Sequence, residues 1–94
     1  GERVRTIHKF EVPATPGIHE IEVRGFQRWL DAGAQDGRLV IWAEVLDQFR
    51  DVRTHHVSVA WTGDEVPDPD STHFRTVQAG LLVHHIYLPK WVAK

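Results

Sequence analysis

The chain predicts an all-β fold, a small antiparallel sandwich or open barrel of about seven strands, on three observations. Apolar and polar residues alternate with a period of two along most of its length, and no stretch sustains a helical period. Turn-forming residues interrupt that alternation at roughly eight- to twelve-residue intervals, the spacing of short strands. Asp36-Gly37 sits between two apolar runs and marks a hairpin, because both turn residues must accept positive φ and this pair tolerates it best.

The elements follow in order. From Val4 to Val12 the chain places Val4, Thr6, His8, Phe10 and Val12 on one face and Arg5, Ile7, Lys9 and Glu11 on the other. Pro13-Ala14-Thr15-Pro16-Gly17 stops this strand, since prolines cannot continue a ladder. Ile18 to Arg24 resumes the alternation, with His19, Ile21 and Val23 opposite Glu20, Glu22 and Arg24, and is expected to pair with the first strand across that loop. After Gly25, residues 26–32 admit a short helix with Phe26, Trp29 and Leu30 on one face. A strand from about Arg28 to Gln35 is preferred, because the Asp-Gly hairpin needs a near arm and a three-turn helix does not fit before Gly33. Leu39 to Leu46 is apolar on both faces and belongs at the middle of a sheet.

Beyond the polar connection Asp47–Asp51, Val52 to Thr62 sets Arg53, His55, Val57, Val59 and Trp61 opposite Thr54, His56, Ser58, Ala60 and Thr62, which predicts one solvated face. Gly63 to Ser71 holds two prolines and the acids Asp64, Glu65, Asp68 and Asp70, a surface loop. Thr72 to Gln78 and Leu81 to Leu88 form the last pair around an Ala79-Gly80 turn, and Pro89 ends the sheet. Residues 1–94 read as one domain, with 1–3 a vector-derived or disordered start and 89–94 a tail carrying Trp91.

A composition of 41% hydrophobic and 26% charged residues is that of a soluble globular protein able to fold alone. A chain this short buries somewhat more than ~60% of its unfolded surface, for a stability of roughly 5–10 kcal/mol. The absence of cysteine excludes disulfides, thiolate zinc sites and a cysteine nucleophile, and the cytosol is the simplest compartment. No run approaches the roughly 20 apolar residues of a membrane span, and the first residues lack a signal-peptide pattern. A net charge of −2 supplies no overall field for a polyanion.

Seven histidines require a metal site to be weighed. The adjacent pairs His55-His56 and His84-His85 point to opposite faces and no His-x-His occurs. His8, His55 and His85 would converge only on neighbouring strands. Hydrogen-bonded sheet histidines are the plainer expectation. The acidic loop lacks the spacing and central glycine of a calcium loop, and Ser58 and Ser71 sit in no nucleophile elbow. Glu20, Glu22 and Glu44 form no recognisable acid–base pair. The expectation is a non-enzymatic protein with no catalytic residue, cofactor or metal assigned.

Binding is the alternative to catalysis. Four tryptophans exceed what a core of this size readily buries, and Trp and Arg are favoured at interface centres. A protein partner, from a host or a second copy of the chain, is therefore expected at Trp42, Trp61, Trp91 and Arg53. The alternative is a nucleotide or nucleic acid held by Arg28, Trp29, Arg38 and Arg75, by stacking and phosphate contact.

Several short motifs recur in a familiar order: Ile7 to Val12, Gln35-Asp36-Gly37 followed by Ile41-Trp42-Ala43, Thr62-Gly63, Val66-Pro67-Asp68, and Thr76-Val77-Gln78 leading through Gly80 to Val83-His84-His85-Ile86-Tyr87. Over about residues 6–88 this order resembles a family of small phage and prophage proteins classed as a domain of unknown function. The family pattern has Asn where this chain has Asp36, and His-Pro where it has Asp64-Glu65. The resemblance implies a phage or prophage origin, an accessory role and a place in the host cytoplasm, and it implies no chemistry.

Overall fold

The computed structural model describes residues 4–91, so the expectations for residues 1–3 and for the end of the tail lie outside the described residues. Seven strands follow one another: β1 (Arg5–Glu11), β2 (Gly17–Arg24), β3 (Phe26–Gln35), β4 (Arg38–Leu46), β5 (Val52–Trp61), β6 (Ser71–Ala79) and β7 (Leu82–Pro89). They form a three-stranded sheet in the order β1-β4-β3 and a four-stranded sheet in the order β2-β5-β7-β6, every pairing antiparallel. The two sheets pack as an open sandwich, because each has one apolar face to remove from water.

As its composition requires, β4 is central in its sheet. Leu39, Ile41, Ala43 and Val45 enter the core against Val57 and Val59 of β5 and Ile86 and Leu88 of β7. Val40, Trp42, Glu44 and Leu46 point the other way. The turn ahead of it has φ of 52° at Asp36 and 74° at Gly37, the positive pair that a two-residue hairpin demands.

Other expectations change. β2 does not pair with β1; β1 pairs with β4 and β2 with β5. Val12 still donates its N–H to the Leu39 carbonyl (2.9 Å), and only then does the proline-rich segment carry the chain to the opposite sheet. Residues 26–35 are strand throughout, with register irregularities between Phe26 and Arg28 and between Trp29 and Asp31. The last hairpin turns at Gly80-Leu81, one residue later than expected, since Ala79 pairs with Leu82. On β5 the face expected to be wet is dry at Ser58 and Ala60, which β7 covers from the side through Tyr87 and His85.

Gly25 joins the sheets. Its N–H donates to the Asp51 carbonyl (3.0 Å) and its carbonyl accepts from the Leu46 N–H (2.9 Å), so one buried residue stitches the end of β4 to the approach of β5. Its φ of 68° lies in the left-handed region, and a Cβ here would collide with the Leu46 carbonyl oxygen.

Candidate functional site

The outward face of the three-stranded sheet assembles from alternate residues of its three strands. β1 contributes Arg5, Ile7, Lys9 and Glu11, β4 contributes Arg38, Val40, Trp42 and Glu44, and β3 contributes Arg28, Asp31 and Gly33. Trp42 is half-buried because its ring lies over Gly33, whose missing side chain leaves the space: a Cβ there would meet the ring at 3.3 Å. Ile7 on the edge strand is 65% exposed, although it is β-branched and apolar. Around this apolar centre Glu44 lies between Arg5 (3.6 Å) and Arg28 (3.5 Å), Arg38 meets Glu11 (3.1 Å), and the Lys9 ammonium donates to the Gln35 side-chain oxygen. The guanidinium partners Arg5, Arg28 and Arg38 are largely exposed, so these ion pairs stabilise little, about 0–1 kcal/mol each, and the arginines are free to exchange partners. A hollow of about 320 Å³ opens beside them between Lys9, Glu11, Gln35, Asp36, Arg38 and Val40.

The structure disperses the other predicted binding residues. Trp29 is a core residue, edge-on to Phe10 and Phe26, and cannot stack on a base. Arg75 is engaged by Asp31, and this pair ties β6 to β3. The Ala32 N–H and the Arg75 guanidinium together hold the Asp31 carboxyl below the usual carboxylate range. Trp61 is half-buried and donates its indole N–H to Nδ1 of buried His84 (3.2 Å). Arg53 lies beside Asp51 at the start of β5 (3.3 Å). Trp91 is 70% exposed, its ring centre 6.3 Å from that of His55. Arg28, Arg38 and Trp42 are thus brought together, with Arg75 at the edge of their face through Asp31; Trp29, Arg53, Trp61 and Trp91 are not.

His55 was legible as a core-facing residue but not as an isolated one. It is 2% exposed, packed against Phe26 (ring centres 4.0 Å apart) and Trp29 (5.6 Å), and neither ring nitrogen has a hydrogen-bond partner among the described residues. Burial, with the positive charges of Arg53 and His56 adding to it, holds its pKa below the ordinary histidine value. His8, His55 and His85 do not converge, because His8 lies in the other sheet, His55 faces the core and His85 faces out. His84, not His85, is the buried member of its pair. Alternation alone does not decide this parity, because Leu82, Ile86 and Leu88 lie on one face of β7 with His84, and Val83 and Tyr87 on the other with His85.

On the outside of the four-stranded sheet Thr62, His85, Thr76 and His73 form a hydrogen-bonded row, with contacts of 2.8, 3.0 and 2.9 Å. Sequence reasoning missed it, since it unites three separate segments. The β6–β7 turn exposes Leu81 almost completely. Among the described residues no three His, Cys, Asp or Glu side chains are placed to hold a metal ion, and no helix is long and apolar enough to cross a membrane.

The sequence matches, over residues 3–92, the family described as a domain of unknown function (DUF7352). No curated protein and no solved structure matches it.

Proposed function

The chain belongs to the DUF7352 family of unknown function, and from that premise we propose that it is a phage-encoded accessory protein of the host cytoplasm that works by binding protein and not by catalysis. The order of motifs shared with phage and prophage proteins supports the origin. The observation that carries the binding role is the outward face of the β1-β4-β3 sheet, where exposed Ile7 and half-buried Trp42, with Val40 buried beneath them, form an apolar centre inside a rim of Arg5, Arg28 and Arg38. Aromatic and aliphatic anchors within an arginine-rich rim are the composition of a protein interface. The displaced pKa values of Asp31 and His55 arise from an inter-sheet ion pair and from core burial, and neither group lines the hollow on this face.

The test is capture from a host lysate by wild-type protein, Ile7→Glu and Trp42→Ala, with the native mass measured alongside and circular dichroism confirming the fold. A protein retained by wild type and lost by both variants is the expected result. Equal retention by the variants, or a monomer that retains nothing, overturns the assignment of this face.

A nucleic-acid reading keeps one observation in its favour, the gathering of Arg5, Lys9, Arg28, Arg38 and Trp42 on this face. Tryptophan emission that responds to oligonucleotides at low salt and reverts at high salt supports it, and silence at low salt removes it.

A further inference from the structure

We propose that β1 is a self-pairing edge: a second copy of this chain adds its own β1 antiparallel about a two-fold axis at His8, joining two three-stranded sheets into one. This rests on the protein-binding reading above and names the partner.

The backbone permits it. Val12 donates its N–H to Leu39, and Val4 accepts from the Asp47 N–H (3.1 Å), which with the β1–β4 register assigns the main-chain groups of the even residues to β4. The N–H and C=O groups of Arg5, Ile7, Lys9 and Glu11 therefore point to the opposite side, where among the described residues no strand follows in the sheet order. β1 pairs without a bulge, so this edge is regular along its whole length. An unpaired regular edge is a template for another strand.

Side chains select the partner and the register. About His8, the middle of Arg5–Glu11, each odd residue exchanges both main-chain bonds with its opposite: Arg5 with Glu11 of the second copy, Ile7 with Lys9, and the reverse of each. Opposite charges then face one another at both ends, on the face that also carries Trp42. Moving the axis to Ile7 sets Arg5 against Lys9, and moving it to Lys9 sets Lys9 against itself; larger shifts shorten the ladder. The other edges fit a second copy less well. Registers using most of β2 oppose Glu20 and Glu22 to carboxylates, and β3 and β6 are tied to each other by Asp31 and Arg75.

The experiment is native mass against concentration for wild type, Arg5→Glu, Glu11→Arg and the double variant, together with residue-resolved amide exchange. Each single reversal places like charges opposite one another at both ends and is expected to weaken the dimer roughly tenfold or more, while the double variant restores it. Exchange at Ile7, Lys9 and Glu11 is expected to slow as concentration rises; His8 and Phe10, already bonded to β4, do not change. If a charge variant fails to fold, Ile7→Pro replaces it, because it removes a donor that β4 does not use and is expected to give monomer. A monomer at every concentration, or a dimer indifferent to both reversals and to Ile7→Pro, overturns the proposal. A monomer that still captures a host protein through Ile7 and Trp42 overturns self-pairing and leaves the protein-binding reading standing.

Discussion

Gly25→Ala separates a backbone requirement from ordinary loop tolerance, with Gly37→Ala as its control. Both glycines have positive φ, 68° and 74°, so each substitution costs about 1 kcal/mol for placing a Cβ in the left-handed region, partly offset by the smaller entropy of the unfolded chain. They differ in surroundings. Nothing lies within 4 Å of a Cβ on Gly37, whereas on Gly25 it meets the Leu46 carbonyl oxygen. Relieving that collision moves Gly25 away from Leu46 and Asp51 and weakens two main-chain hydrogen bonds, each with a net value of about 0.5–1.5 kcal/mol. The expected loss is about 1 kcal/mol for Gly37→Ala and about 2–4 kcal/mol for Gly25→Ala. At about 4–8 °C per kcal/mol for a domain of this size, the two melting temperatures differ by roughly 5–20 °C. Urea unfolding followed by far-ultraviolet circular dichroism and tryptophan emission measures both. If Gly25→Ala unfolds at the same urea concentration as Gly37→Ala, the joint between the sheets is not where the structure places it.

His55 carries a pH dependence. Its folded pKa is depressed below the unfolded value of 6.5, so the unfolded chain takes up a proton first as pH falls through that value, and stability is lost on the acid side. Between about pH 8 and pH 5 the urea midpoint of wild type is expected to fall more than that of His55→Phe; equal slopes refute the assignment. Trp61→Phe removes the only hydrogen bond that His84 Nδ1 makes among the described residues and is expected to cost about 1–2 kcal/mol in urea unfolding, whereas Trp91→Phe stays within about 0.5 kcal/mol. Comparable losses for the two variants would contradict the burial assigned to Trp61.

The residues 26–32 show why part of the fold resisted reading. Phe26, Trp29 and Ala32 all turn inward, spaced by three, a separation that suits a helix face as readily as a strand. The strand reaches that spacing because each of its two irregularities adds a residue to the outward side, and a bulge leaves no mark on composition. The tryptophans were harder still. Trp29, Trp42, Trp61 and Trp91 are chemically equivalent in the sequence, yet one is core, one lies over Gly33, one is bonded to His84 and one is largely exposed. Of the candidate binding residues only Arg28, Arg38 and Trp42 share a surface, with Arg75 at its β3 edge, and Ile7, the most telling member of that surface, gave no sign beyond its place on the wetter face of β1.

By itself the sequence determined what depends on near neighbours: the all-β class, the positions of the strands, the Asp36-Gly37 hairpin and the central place of β4. Alternation and turn chemistry act over a few residues, and this chain states both clearly. Tertiary structure alone decided which strands share a sheet. β1 and β2 are separated by five residues of loop, and whether they pair or part depends on β4 and β5 offering apolar faces and hydrogen-bonding edges from more than twenty residues away in the chain. That choice leaves β1 on an edge, with Ile7 outward and Arg5 and Glu11 at its two ends.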